Sequence, residues 1–312
     1  VRHLVLWATH GFYRRGLFGI IVFEQVVFAG GGNRCWWQAG FWDVVAPAID
    51  LKPRVVAGVS AGAATACMLY ANDSRWTMDY YREVLEHNHR NAYWGNLLRR
   101  ARDPAHPHAA RVFPHAAIYR KALTDILGGA RFERLKREAP EIRIVYARLP
   151  RGLGPRSALM VGMLAYNVEK HWRRSLHPTF GRRIGFAPEM ARLQDCADID
   201  DLVSLITASS CTPPFTPIEY RGGRPTLDGG MVDNVPVDAV EAGPSTLVLL
   251  TRRYPDRTDT FRHLGRLYAQ PSSPVPVSAW DYTDPAALAA TYDRGRRDGE
   301  RFADLARRDA LP

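Results

Sequence analysis

The chain has 312 residues, 46% of them hydrophobic and 24% charged, which supplies a large core and argues against general disorder. Its four cysteines, Cys35, Cys67, Cys196 and Cys211, are widely spaced and form neither a CxxC nor a Cys/His ligand pattern. They argue against a zinc site or a disulfide framework and fit a reducing, cytoplasmic compartment.

The net charge of +10 rests on 42 basic residues, of which only Lys52, Lys121, Lys136 and Lys170 are lysine. A GC-rich coding sequence produces such arginine dominance without selection. The functional alternative is peripheral contact with an anionic membrane, where each well-placed cation contributes about 1 kcal/mol. No RNP, zinc-finger or basic-helix pattern is present, so no nucleic-acid partner is expected. The apolar run Leu17 to Ala29 contains Glu24 and Gln25 and is too short to span a bilayer, and no signal-peptide pattern precedes it.

In chain order, residues 1–25 mix aromatic, arginine and aliphatic side chains and read as a peripheral N-terminal segment. Residues 26–312 form the expected main domain. Val26 to Ala29 is a short apolar strand ending at Gly30-Gly31-Gly32, and Cys35 to Val45 comes next as a helix. Val55 to Ala57 is a second strand, Gly58-Val59-Ser60-Ala61-Gly62 a turn, and Ala63 to Ala71 a small-residue helix. Strand, turn and helix repeated at this spacing predict a parallel sheet wrapped by helices, with ligands bound at the carboxyl ends of its strands.

Trp76 to Arg100 reads as a helix and Asp103 to Pro114 as a Pro/His-rich loop, so residues 76–114 are the expected cap or lid. Further expectations are a strand at Ile142 to Ala147 and helices at Ser157 to Trp172 and Ile199 to Ala208. A turn is expected at Arg221 to Arg224, a buried strand at Leu247 to Leu250 and a closing helix at Pro285 to Arg308.

Three short patterns carry chemistry. Gly58 to Gly62 matches G-x-S-x-G, whose flanking glycines let the backbone crowd and push the serine hydroxyl outward; the alternative is a serine that caps the next helix. Gly30-Gly31-Gly32-Asn33-Arg34 presents consecutive amides at a helix start, which suits a phosphate, an oxyanion or an unliganded turn. Asp228-Gly229-Gly230 ends a strand with a carboxylate that another loop can approach, unless it is an ordinary Asp-Gly turn. A serine needs such a base, because its hydroxyl is too weak an acid to react unaided.

Taken together and in this order, these patterns resemble the patatin-like phospholipase family. Its glycine-rich oxyanion loop, its G-x-S-x-G serine and its D-G-[GA] aspartate match the three stretches. The block Ala208-Ser209-Ser210 to Pro213-Pro214-Phe215-Thr216-Pro217 is similar to the one the family carries upstream of its aspartate. One departure is Cys35, where the family commonly has glycine.

The resemblance implies a three-layer α/β/α fold with a central, mostly parallel sheet, and a lipid acyl hydrolase acting through a covalent acyl-enzyme. It also implies Ser60 as nucleophile and Asp228 as base. Gly30, Gly31, Gly32 and Arg34 form the oxyanion hole, with the amides of Gly31 and Gly32 as its donors; Gly58 and Gly62 shape the elbow, and Gly229 and Gly230 come directly after the base. The substrate would be a lipid or another acyl ester, and no cofactor is needed.

A serine thioesterase, an acyltransferase or a non-catalytic membrane-binding protein of the same fold are the alternatives. Only His263 lies beyond Asp228, in a polar context, which supports a dyad over a Ser-Asp-His triad. His87-Asn88-His89 and His106-Pro107-His108 have i,i+2 spacing rather than the i,i+4 of helical metal ligands, so no metal site is expected.

Overall fold

The computed structural model describes residues 23–96, 112–150, 176–177, 180–243 and 245–312, together with positions 152, 154, 157 and 160. Most of the expected peripheral segment, residues 97–111 of the expected cap with His106 and His108, and nearly all of the expected helix Ser157 to Trp172 lie outside the described residues.

The strands are β1 (Gln25–Phe28), β2 (Val55–Val59), β3 (Glu141–Arg148), β4 (Ala187–Arg192), β5 (Glu219–Arg221), β6 (Arg224–Leu227), β7 (Thr246–Leu249), β8 (Thr260–His263) and β9 (Arg266–Ala269). They join in the order β5-β6-β3-β2-β1-β7-β9-β8, with β4 also on β3. The centre is parallel: β1 pairs with β2 and β7, β2 with β3, and β7 with β9. The margins are antiparallel, through β4 and β6 on β3, β5 on β6 and β8 on β9. The β5–β6 hairpin closes through Gly222 and Gly223, both at positive φ, which glycine adopts without a Cβ clash.

Pleat alternation assigns the sheet's two faces. Val26, Phe28, Val56, Ile142, Ile144, Leu247 and Leu249 join one buried cluster, while Val27, Ala29, Val55, Ala57, Val248 and Leu250 join another. Strands buried on both sides read as the continuous apolar runs seen in the sequence.

The first face carries the apolar sides of α1 (Trp36–Ala48), α2 (Ala61–Ala71), α3 (Ser74–Glu86), α4 (His115–Leu127), α5 (Ala130–Glu138), α6 (Ile199–Ser209) and α7 (Pro285–Arg307). Among the described residues, the second face is covered by Val235, Val237, Val240 and Tyr254 and by Leu176. A short helical turn, Phe180–Arg183, is tied to this layer by Arg182 donating to Asp238 at 2.7 Å. The architecture is a mixed sheet, mostly parallel, flanked by helices.

Long-range pinning joins α1 to the closing helix α7. α1 and α7 cross where Gly40 faces the Tyr292 carbonyl and Gly295 faces the Trp37 carbonyl, leaving no space for a Cβ at either glycine. Trp37 Nε1 donates to Asp298 at 2.8 Å, and Asp298 also accepts from the Ser272 amide and hydroxyl.

α3 ends at Glu86, short of the expected Arg100, because the His/Asn-rich stretch His87 to Asn91 that comes next is made of poor helix formers and lacks the apolar face that buries Met78, Tyr81 and Leu85. Those three residues sit in the main core cluster. α4, α5, β4 and the β8–β9 hairpin were not anticipated from the sequence.

Candidate active site

Ser60 occupies the single residue between β2 and α2, with φ 55° and ψ −135°. A non-glycine residue at positive φ costs about 1–3 kcal/mol and persists only where the surroundings over-determine it. Here β2 enters directly and α2 leaves directly. Gly58 lies within the strand and Gly62 within the helix, so the elbow is tighter than the five-residue turn expected. A Cβ on Gly62 would come within 2.5 Å of the Ala29 carbonyl, and one on Gly58 within 2.7 Å of Ala63 Cα.

The serine hydroxyl makes no capping bond to α2, which removes the helix-cap alternative. It donates instead to Asp228 Oδ2 at 2.7 Å. The Ser60 amide donates to Ser209 Oγ at 2.7 Å, and that hydroxyl donates to the Val145 carbonyl at 2.5 Å. A buried relay therefore fixes the elbow from behind. The first amides of α2 have no partners within the helix and add positive potential beside Ser60.

The meeting of Ser60 and Asp228 is a consequence of strand register. β4 occupies one edge of β3 through Arg143–Arg148, so β2 and β6 both lie along the other edge. β2 runs parallel to β3 and stops at Val59, opposite Val145. β6 runs antiparallel and stops at Leu227, opposite Ala147. The two strands point at each other along one edge, and the next residue of each is a member of the pair.

Asp228 is well supplied with donors. Its Oδ1 accepts the Gly230 amide at 2.7 Å, and Oδ2 also accepts Thr212 Oγ1 at 3.4 Å. Burial nevertheless pushes its carboxyl up to about 6, partly offset by the bonds from Ser60, Gly230 and Thr212. A carboxylate so raised is a stronger base than an exposed aspartate. Gly229 lies against the Val145 carbonyl and the Val59 side chain, where a Cβ would come within 2.5 Å of both.

The glycine loop faces this pair. The Gly30 amide is already used, donating to the Asn234 carbonyl at 3.0 Å, so it drops out as an oxyanion donor. Among the described residues, the Gly31 and Gly32 amides meet no acceptor. Their direction is set indirectly, because in a trans peptide the N–H points opposite to the preceding C=O. The Gly30 carbonyl accepts from Asn234 Nδ2 at 3.0 Å and Thr251 Oγ1 at 2.8 Å, which turns the Gly31 N–H the other way. The Gly31 carbonyl accepts the Arg34 amide at 3.3 Å and Arg34 Nε at 3.2 Å, which does the same for Gly32. Arg34 thus orients the loop. Gly32 has φ +56° and lies against the Ala279 carbonyl, so no side chain fits there. Cys35 closes the next turn at φ −65°, ψ −14°, a conformation that needs no glycine.

Two cavities meet at Ser60. A wide one of about 560 Å³ includes Gly31, Gly32, Arg34, Thr212 and Asp228 in its wall. A narrow one of about 50 Å³ runs between Trp36, Met68, Tyr81, Tyr119 and Tyr282. Ser60, Gly32 and Trp280 are common to both.

With this geometry in place, comparison with known proteins is direct. Residues 26–240 match the patatin-like phospholipase family. The chain belongs to this family. Patatin-like phospholipases are lipid acyl hydrolases, and the order of the three motifs along the chain is theirs. No curated protein is significantly similar to the chain in sequence.

Among solved structures, the patatin-like chain is similar to VipD from Legionella pneumophila, at 12% identity and a TM-score of 0.45, over 93% of this chain and 69% of VipD. It is also similar to human GIVD cytosolic phospholipase A2, at 10% identity and a TM-score of 0.42, over 92% of this chain and 62% of that one. The chain therefore spans less than two thirds of the human enzyme's length.

His263 lies in the edge strand β8, stacked on His177 with ring centroids 6.0 Å apart, and belongs to neither cavity wall. Among the described residues, no three His, Cys, Asp or Glu side chains are grouped to hold a metal ion. No described helix is long and apolar enough to cross a membrane.

Sequence reading missed Ser209, Thr212, Asn234 and Thr251 as individual contributors, although the first two lie in or within the stretch Ala208 to Pro217 that resembles the family. It also missed Val275 to Tyr282, which walls both cavities. That stretch has no periodicity, and distant side chains hold it at the site: Asn88 Nδ2 donates to the Tyr282 carbonyl at 2.7 Å, the Tyr282 amide donates to Asn91 Oδ1 at 2.8 Å, and Asn33 bonds it on the glycine-loop side. The Asn33 amide donates to the Ala279 carbonyl, and Asn33 Nδ2 donates to the Asp281 carbonyl at 2.6 Å.

Proposed function

We propose that this protein is a lipid acyl hydrolase that cleaves acyl esters through a Ser60–Asp228 dyad and a covalent acyl-enzyme. The observation that carries the reading is the 2.7 Å bond from Ser60 Oγ to Asp228 Oδ2 at a strained elbow facing two unengaged amides.

In the first half-reaction Asp228 takes the hydroxyl proton and Ser60 Oγ bonds to the ester carbonyl carbon. The carbonyl oxygen becomes an oxyanion held by the Gly31 and Gly32 amides, each worth about 10²–10³ in rate by comparison with other oxyanion donors. Collapse breaks the bond to the leaving alcohol, which receives its proton from Asp228. Water then enters, gives its proton to Asp228 and attacks the acyl-enzyme, and Ser60 recovers a hydrogen as the acid departs. No histidine lies in the proton path.

Proton delivery also divides the substrate between the cavities. Asp228 lines the wide cavity and not the narrow one, so the leaving group belongs in the wide cavity and the acyl chain in the narrow one. The Arg34 guanidinium in the wide wall suits a leaving group that carries negative charge, and the overall charge of +10 suits an anionic lipid surface.

We read residues 26–312 as one catalytic unit, because Val275 to Tyr282 walls the site and α7 packs along α1. α3 belongs to this unit, so a cap begins only after Glu86.

A fluorophosphonate probe with peptide mapping tests the nucleophile: the label is expected on Ser60 alone. Ser60→Ala is expected to lower ester hydrolysis at least about 10³-fold. Labelling elsewhere, or unchanged hydrolysis by that variant, would sink the assignment.

A further inference from the structure

The narrow cavity is an acyl chamber with a defined floor. Ala61, Ala64, Thr65 and Met68 of α2 recur at helical spacing on the side of that helix that lines the chamber. The two alanines leave room beside Ser60, and Met68, buried at 7% exposure, closes the space below them. Behind it lies a separate void of about 10 Å³ lined by Trp36, Ala39, Thr65, Met68, Leu69, Ser74 and Thr77, with the Ser74 hydroxyl engaged by Asp43 at 2.6 Å. Trp36, Thr65 and Met68 belong to both linings, so they alone separate the chamber from the void.

The three partition residues are not equally movable. Trp36 is held against the Tyr81 ring at a centroid distance of 5.3 Å. Thr65 is bonded to its own helix through Oγ1 and the Ala61 carbonyl at 2.9 Å. Met68 is unbranched and makes only van der Waals contacts, which leaves it free to be exchanged for a smaller or larger side chain. A third cavity also adjoins the chamber, past Tyr119, Ser210 and Thr216, but its wall carries Arg120, Lys121, Asp125 and Glu219. A charged wall does not receive an alkyl tail.

The chamber's volume of about 50 Å³ is small beside the wide cavity's about 560 Å³, which suits it to a short acyl chain. We propose that Met68 is the chain-length determinant of this enzyme, restricting it to short acyl esters, and that shortening Met68 joins chamber and void into a pocket for longer chains. The inference rests on the Ser60–Asp228 reading, which assigns the acyl chain to this chamber.

The test compares kcat/KM for p-nitrophenyl butyrate and p-nitrophenyl octanoate. The unaltered protein is expected to favour butyrate at least about tenfold, and Met68→Ala to reduce that ratio about tenfold or more, on the scale of 10–200-fold per misfitting methylene. Met68→Phe is expected to move the other way and to favour p-nitrophenyl acetate over butyrate. Should Met68→Ala not fold, Met68→Val gives the same comparison with a smaller void. Equal use of butyrate and octanoate by the unaltered protein, or chain-length ratios that do not respond to Met68, would overturn the proposal. Butyrate hydrolysis that survives Ser60→Ala would overturn the dyad reading instead, so the two failures are distinguishable.

Discussion

Asp228→Asn separates the demands of chemistry from those of folding. The folded state raises this carboxyl from 3.8 to about 6, with burial the largest cause, which corresponds to about 3 kcal/mol held against the ionised fold. Because the folded pKa lies above the unfolded one, the cost is nearly absent below pH 4. It grows as pH rises from about 4 to about 6 and stays constant above that. Asparagine keeps the shape and never ionises, but it offers one oxygen where Asp228 uses two, for Ser60 and for Gly230. Losing one of these bonds costs about 1 kcal/mol. The variant is therefore expected to be more stable than the parent by about 2 kcal/mol at pH 8 and slightly less stable at pH 4, with the curves crossing at about pH 4.5. Urea unfolding of both proteins at pH 4, 5 and 8 measures the difference, and other titrating groups cancel. In the same samples the variant's esterase activity is expected to be lost, while the parent's kcat/KM rises through about pH 6 and levels off. A stability gap that is flat or shrinks with pH would refute both the burial argument and the role of Asp228 as the base.

The same geometry sets three further outcomes. Gly62→Ala places a Cβ within 2.5–2.6 Å of the Ala29 and Phe28 carbonyls and should destabilise the fold by about 2–3 kcal/mol or more, read from the urea midpoint. Asn234→Ala removes the side-chain donor that turns the Gly30 carbonyl; kcat should fall about tenfold with little change in KM, since the loop it orients acts on the oxyanion and not on ground-state binding. His263→Ala should leave ester hydrolysis within about twofold of the parent, and a large loss would restore a triad.

The fold class was legible because it rests on local signals. Val26 to Phe28, Val55 to Val59 and Leu247 to Leu249 are short apolar runs next to glycine turns or small-residue helices, and strands buried on both faces must look that way. β4 was not legible, because its alternating pattern in Ala187–Arg192 is largely exposed and carries no apolar run. The β8–β9 hairpin sits at the sheet margin, where one flank is open and the hydrophobic signal is weaker. The place of the expected cap's first helix was not legible, because aromatic and charged residues at helical spacing describe a lid and a half-buried core helix equally well; the structure shows Met78, Tyr81 and Leu85 buried in the main core cluster.

Of the site itself, the sequence determined the parts list: a serine between crowding glycines, a glycine loop and an Asp-Gly-Gly aspartate. Each is a backbone requirement written in residue type. Left to the tertiary structure is everything that depends on two distant segments meeting. Ser60 and Asp228 touch because β2 and β6 run head to head along one edge of β3. The amides of Gly31 and Gly32, the donors the resemblance implies, are turned toward the site because Asn234, Thr251 and Arg34 hold the neighbouring carbonyls. Met68 closes the acyl chamber because α2 turns that face toward Trp36 and Tyr81. Sequence specifies which conformations each segment allows, but a hydrogen bond between residues 168 positions apart, or a cavity wall built from such segments, is set only when the sheet register is.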